Sequence, residues 1–178
     1  MTKREEFIWK ALNIACWVIF LGFCTQTGAL LFNYIFSLFR PIASHNVYMG
    51  LNLSEIYGKS IFLYTCLLSF AIFLSACKSW LFYWVIKLFR KLDIVNPFSQ
   101  EMFIYISKLG YFSLSIGIVG YIAHQFAQSL THKGYEIDMI GTYWKDSGAY
   151  VLMSAIIFVI AMIFNKGIQL RKENELTI

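Results

Sequence analysis

The chain has 178 residues, of which 58% are hydrophobic, 19% aromatic and only 14% charged. This composition, with a mean hydropathy of +0.61, is atypical of a soluble domain and indicates a protein solvated by lipid. The net charge of +5 does not indicate nucleic-acid binding. The basic residues flank apolar runs, where the excess of Lys and Arg on the cytoplasmic side of membranes explains them.

The four cysteines all fall inside apolar runs, at Cys16, Cys24, Cys66 and Cys77. They show no C-x-x-C spacing, so neither a disulfide framework nor a zinc site is predicted. We interpret them as small apolar residues of helices.

The first apolar run, residues 7–39, is longer than the roughly 20 residues that cross a bilayer core. A secretory signal would have a shorter apolar region and a small-x-small cleavage site. The run therefore predicts an uncleaved transmembrane helix. Gln26 and Asn33 in its outer half should face neighbouring helices, because an amide exposed to lipid is costly.

Two outer loops are predicted at residues 40–58 and 128–146, and both show a period of two. Apolar residues alternate with polar or small ones from Val47 to Leu53, and again from Tyr135 to Met139. This is the period of a half-buried strand. We expect the loops to pair as a small extracytoplasmic β-sheet, with unstructured loops as the alternative.

The second predicted helix, residues 59–92, spans roughly 50 Å at 1.5 Å per residue and must extend beyond the bilayer core. Lys78 is predicted to mark the inner interface, because an aromatic belt follows it at Trp80, Tyr83 and Trp84.

A polar junction, residues 93–99, separates the two halves of the chain. Basic residues close the preceding helix, Pro97 forces a turn, and Ser99 is the predicted N-cap of the next helix. The residues assigned to this junction site are Lys87, Arg90, Lys91, Asn96, Pro97, Phe98 and Ser99.

The third predicted helix, residues 100–127, carries a stripe of small residues at spacings of three or four. Such a stripe suits close helix packing in lipid, although it could also line a pocket that ends at its histidine. The stripe comprises Gly110, Ser113, Gly117, Gly120 and His124.

The fourth predicted helix, residues 147–170, precedes a polar tail at 171–178. Alternating apolar residues at the end of the tail favour an extended segment that docks on a partner or on the basic junction, with a frayed, solvated tail as the alternative. The docking candidates are Glu173, Asn174, Glu175, Leu176, Thr177 and Ile178.

The pattern as a whole predicts an all-α membrane protein, one integral membrane domain over residues 1–178 with four helices in two hairpins. If the termini and the junction are cytoplasmic, eleven Lys and Arg residues, Lys78 among them, lie inside. Four lie outside, namely Arg40, Lys59, Lys133 and Lys145. This bias predicts that both termini are cytoplasmic.

Asn-Pro-Phe-Ser at 96–99 and the terminal Lys-Glu-Asn-Glu-Leu-Thr-Ile at 172–178 resemble a family of uncharacterised bacterial membrane proteins, domain of unknown function 2975. The resemblance covers the four-helix layout and implies a bacterial cytoplasmic membrane. Members are often encoded beside a small helix-turn-helix DNA-binding regulator, so it also implies a role in such a module. It supplies no catalytic residues.

No Asp or Glu falls in the central part of any predicted helix, whereas coupled transport usually relies on intramembrane ionisable groups. Membrane-depth Ser/His/Asp sets, paired carboxylates and His-x-x-x-His spacing are also missing. The outer residues His45, His132, Glu136 and Asp138 lack metal-specific spacing and are expected to be solvated.

We therefore expect a non-catalytic protein without cofactor or metal. The function favoured is a sensor, sequestering or accessory subunit that works with a cytoplasmic DNA-binding regulator, while the chain itself contacts the lipid bilayer and no nucleic acid. The alternative is a small transporter or a protein of self-protection against membrane-active agents.

Overall fold

The computed structural model describes residues 3–92 and 97–175, and over these residues the chain is helical without a strand. Its α-helices are α1 (Lys3–Phe39), α2 (Ser54–Lys59), α3 (Ile61–Lys91), α4 (Gln100–Thr131) and α5 (Ser147–Glu175), with 3₁₀ helices at Pro41–His45 and Asp138–Tyr143. Four helical segments are long and apolar enough to cross a membrane. This confirms an all-α protein with four long apolar helices.

The long helices pack as two hairpins, α1 with α3 and α4 with α5, joined through α3 and α4. The backbone of α5 packs on α4 and not on α1 or α3 over the described residues. The bundle is therefore open on one side. We call the end with residues 40–60 and 132–146 the cap end, and the opposite end, with residues 92–99, the junction end.

Two helices run further than the sequence predicts. Helix α4 continues to Thr131, and Gly134 (φ +83°) follows its last turn, where the Tyr135 N–H donates to the Leu130 carbonyl at 3.2 Å. Helix α5 continues to Glu175 instead of ending at residue 170. Neither glycine nor proline follows Gly167, so nothing in the sequence breaks the helix earlier.

The predicted β-sheet of the two outer loops is wrong. The Val47 N–H donates to the Leu51 carbonyl at 2.9 Å within a tight turn, in which Met49 and Gly50 have φ of 48° and 85°. Residues 138–143 form a 3₁₀ helix. Local turns satisfy these backbone groups, so no strand ladder is needed.

The alternation identifies only some of the buried residues of the cap, since Met49 and Met139 are 84% and 56% exposed. Val47, Leu51 and Leu53 are buried in the same apolar cluster as Ile137 and Ile140, so the two loops meet through side chains.

Glu55 adds a polar link between the two cap segments. Hydrogen bonds from Lys59 and from the Glu136 backbone lower the pKa of its carboxyl group, the Lys59 bond being the larger cause.

Glycines of α4 set its close packing on α5. A Cβ at Gly110 would lie 2.8 Å from the Phe158 ring, and one at Gly117 would lie 2.5 Å from Val151 and 3.1 Å from the Ser147 carbonyl oxygen. Backbone atoms cannot move aside as a flexible side chain can, so α5 approaches closely because these positions lack a Cβ.

We expect Gly117→Ala to lower the free energy of unfolding by about 1–3 kcal/mol, since overpacking a tight contact has this cost. The matched control is Gly28→Ala in α1, where a Cβ would find nothing within 4 Å. Alanine there should be neutral or stabilising by up to about 1 kcal/mol, through its higher helix propensity. The measurement is unfolding in mixed micelles followed by circular dichroism, and equal effects of both substitutions would contradict the packing.

Candidate functional site

Lys78 lies in the interior of α3, and its ion pair with Asp146 contradicts the prediction of these two residues on opposite sides of the membrane. At 1.5 Å per residue it is about 26 Å from the Ile61 end of the helix and about 20 Å from the Lys91 end. Its side chain is only 7% exposed. Even without Lys78, the predicted inner group keeps ten Lys and Arg residues against four outside.

The ammonium group of Lys78 has a complete set of acceptors. Its Nζ donates to Asp146 Oδ1 and Oδ2, both at 2.8 Å, and to the Tyr143 carbonyl oxygen at 3.0 Å. A lysine has three donors to satisfy. A buried charge is tolerated when it is paired and hydrogen-bonded in this way.

Aromatic and polar groups from the other long helices surround the pair. Lys78 Nζ lies 5.4 Å from the Tyr150 ring centroid and 5.9 Å from that of Phe23, within the range of cation–π attraction. Gln26 of α1 lies beside the Tyr143 side chain, so this amide faces another part of the bundle. Asn33, by contrast, donates within its own helix to the Ala29 carbonyl.

Asp146 is held at the first turn of α5. Its carbonyl oxygen accepts from the Ala149 and Tyr150 N–H groups at 3.0 and 3.2 Å. The positive end of the helix dipole stabilises a carboxylate at this position. The ion pair thus joins the middle of α3 to the beginning of α5.

The segment before α5 descends into the bundle to bring Asp146 to this depth. Trp144 and Ser147 contact α4 at Gly120, about 17 Å from the Thr131 end of that helix. Ile137, Ile140 and Trp144 are all buried, so one side of the descending segment is packed against the bundle. Beside α1, α3 and α4, this segment fills the place of a fourth long helix at the cap end, and α5 fills the rest of that place. We call this place the fourth position of the bundle.

An apolar cleft opens beside the ion pair, on the open side of the bundle. Its volume is about 350 Å³. Its walls come from α3, α4 and α5, and the residues that line it are Leu81, Phe82, Val85, Leu109, Asp146, Ala149, Tyr150, Met153 and Ile157. The Asp146 side chain is 45% exposed against 7% for Lys78, so the carboxylate is the accessible charge.

At the junction end, basic side chains are associated with aromatic rings. Lys87 Nζ lies 4.9 and 5.0 Å from the Tyr83 and Trp84 ring centroids, and Lys108 Nζ lies 4.5 Å from that of Trp84. Lys91 pairs with Glu101 at 3.3 Å.

The remaining junction residues lie around the start of α4. Ser99 Oγ accepts from the Met102 N–H at 3.3 Å, and Phe98 after Pro97 packs on α5, 5.3 Å from the Phe164 ring. Arg90 is exposed in the last turn of α3. Asn96 lies outside the described residues.

The other two predicted sites are placed as follows. Ser113 of the small-residue stripe donates to the Tyr150 carbonyl at 2.8 Å, whereas His124 is exposed and lines a separate opening beside Trp144. In the tail, Glu173 and Asn174 are exposed residues of α5, so this part is helical and not extended. The Glu175 side chain and residues 176–178 lie outside the described part.

Sequence reasoning did not find the ion pair, because its partners are 68 residues apart and were assigned to opposite sides of the membrane. The signal was present, since Lys78 and Asp146 each adjoin an uncharged run, at 61–77 and 147–164. Among residues 3–92 and 97–175, no group of three or more His, Cys, Asp or Glu side chains could hold a metal ion.

We expect Asp146→Asn to lower the free energy of unfolding by about 3–5 kcal/mol, because it leaves a buried ammonium without its carboxylate. Lys78→Met should lower the free energy of unfolding by less, since the carboxylate that remains is 45% exposed. The double variant should be more stable than Asp146→Asn alone, because no orphaned charge remains.

The measurement is again detergent-induced unfolding followed by circular dichroism. Glu101→Gln is the control: it breaks an ion pair whose side chains are 57% and 55% exposed, worth less than about 1 kcal/mol. A similar loss for Asp146→Asn and Glu101→Gln would contradict a structural role of the buried pair.

Comparison with known proteins gives one match. The family described as "Protein of unknown function (DUF2975)" matches residues 40–178, a range that includes α2 to α5, Lys78 and Asp146. No curated protein and no solved structure matches the chain. The match covers most of the sequence, and the chain therefore belongs to the DUF2975 family.

Proposed function

We propose that the protein is a non-catalytic sensor or accessory subunit of the bacterial cytoplasmic membrane, with both termini in the cytoplasm. In this proposal the Lys78–Asp146 ion pair holds the resting position of α5. The observation that carries it is the pair itself, which ties the middle of one membrane helix to the first turn of another. The excess of Lys and Arg at the junction end supports the orientation.

A buried ion pair suits a switch because its intermediate states are unfavourable. Either the charges are paired, or one of them must find another partner or be neutralised. Helix α5 packs on α4 and has no backbone contact with α3 in the described structure. Loss of the pair therefore removes the main polar tie between α3 and α5, and α5 is free to shift on α4.

The cleft indicates what kind of molecule operates the switch. Its walls are apolar apart from Asp146 and the Tyr150 hydroxyl, and the charge it presents is the half-exposed carboxylate. A cationic amphiphile that enters from the bilayer can place its tail on the apolar walls and its head group on Asp146. It then competes directly with Lys78, and this differential binding shifts the equilibrium.

Helix α5 carries the change to the cytoplasm. It runs without interruption from Ser147 to Glu175, about 44 Å. A displacement at its first turn therefore moves its exposed end, where the tail begins. The family resemblance implies a helix-turn-helix regulator as the partner that this end contacts.

The switch predicts a movement that spin labels can follow. With cysteine labels at the exposed positions Arg90 and Gln169, in a cysteine-free chain in nanodiscs, dodecyltrimethylammonium should change the α3–α5 distance distribution measured by double electron–electron resonance. The uncharged dodecyl maltoside should not, because it cannot replace the lysine charge.

Two variants make that measurement decisive. Asp146→Asn should show the changed distribution without amphiphile and no further response, whereas Glu101→Gln, which breaks a surface pair, should respond like the wild type. The switch is refuted if Asp146→Asn retains the resting distribution, or if the cationic and uncharged amphiphiles act alike.

The partner is tested by affinity capture from mild detergent in the native host. The full chain should retain a small helix-turn-helix protein, and a chain that ends at Lys172 should not, because the tail residues would be missing. Equal amounts of both chains in the membrane fraction are the control. Capture by both chains would exclude the tail as the docking element, and capture by neither would exclude the regulator.

The same ion pair favours a second candidate, a small coupled transporter, since ionisable pairs buried among membrane helices often mark ion pathways. Proton or sodium flux into proteoliposomes that Asp146→Asn abolishes and Glu101→Gln retains would favour this function over the sensor. A self-protection protein would use the same cleft to bind a cationic membrane-active agent.

A further inference from the structure

A second groove lies at the junction end, on the side of α5 that Phe98 covers. Its volume is about 740 Å³. The residues that line it are Phe98, Ile163, Lys166, Gly167, Leu170, Arg171 and Asn174. All but Phe98 belong to α5, so the groove lies between the junction and the last turns of that helix.

The floor of the groove depends on one glycine. A Cβ at Gly167 would lie 2.5 Å from Phe98 Cδ1, and the Phe98 ring also packs 5.3 Å from that of Phe164. The ring therefore rests on the helix where a side chain is missing. Ile163 and Leu170 beside it are 60% and 50% exposed, an apolar surface open to the bilayer.

The rim of the groove is positively charged. Lys166 and Arg171 both line it, Asn174 adds an amide, and none of the lining residues is acidic. The groove also has a defined depth, because the uncharged run of α5 ends at Phe164 and polar residues begin at Asn165. Basic groups at this level of a membrane helix meet lipid head groups.

We propose that this groove binds one anionic phospholipid of the leaflet at the junction end. An acyl chain lies on Phe98, Ile163 and Leu170, while Lys166 and Arg171 bind the phosphate. A protein helix is a poorer occupant, because the groove combines an apolar floor open to lipid with charges at head-group level. Neither Lys78 nor Asp146 lines this groove, since the ion pair lies near the other end of α5.

The test is native mass spectrometry of the full chain with added phosphatidylglycerol or phosphatidylcholine. One phosphatidylglycerol should bind in preference to phosphatidylcholine. Lys166→Gln/Arg171→Gln should weaken that binding about thirtyfold, since each basic group near an anionic surface contributes roughly fivefold. Leu170→Trp should also weaken it, because the indole occupies the acyl-chain position.

The matched control is Arg40→Gln/Lys133→Gln, which removes two exposed positive charges at the cap end and should leave the first phosphatidylglycerol bound as in the wild type. Unfolding midpoints check that each variant is folded.

Four results would overturn the proposal. The first is equal binding of the two lipids. The second is unchanged phosphatidylglycerol binding by Lys166→Gln/Arg171→Gln. The third is a dimer of the chain that carries no lipid and that Lys166→Gln/Arg171→Gln dissociates. That result would assign the groove to a second copy of the chain. Competition by millimolar inorganic phosphate as strong as by the lipid would show that the groove recognises free phosphate and not a phospholipid.

Discussion

The buried ion pair between Lys78 and Asp146 is the constraint on which the rest of the structure depends. An ammonium group in the middle of an apolar helix needs three acceptors, and it finds them in one carboxylate and one backbone carbonyl. Both belong to the end of the descending segment. The depth of Lys78 in α3 therefore decides where α5 begins, and hence how the fourth position of the bundle is filled.

Because of this ion pair, the uncharged runs of α3 and α5 lie at different levels of the bundle. The uncharged run of α3, residues 61–77, lies on the cap side of the ion pair, and that of α5, residues 147–164, lies on the junction side. A packed loop occupies the cap half of the fourth position and leaves an apolar cleft below it. The amphiphile sensing that we propose is based on the half-exposed carboxylate at the head of this cleft.

The junction end is organised differently, by contacts between cations and rings and by one glycine. Trp84 lies beneath both Lys87 and Lys108, so these charges at the junction end need no buried carboxylate. Gly167 admits Phe98 to the surface of α5 and so forms the groove that we assign to an anionic lipid. The two sites that we propose thus lie near opposite ends of α5.

The sequence by itself determined the four long helices, their two hairpins and the junction, because hydrophobic run length, Pro97 and the Ser99 cap act locally. It also identified some buried positions of the cap, such as Val47 and Ile137, but assigned them to strands together with the exposed Met49 and Met139, since a period of two does not distinguish a strand from turns. Only the tertiary structure decided where Lys78 lies and that Asp146 pairs with it. The reason is that their attraction depends on a distance in space, set by helix packing and by the descent of one loop, between residues 68 positions apart.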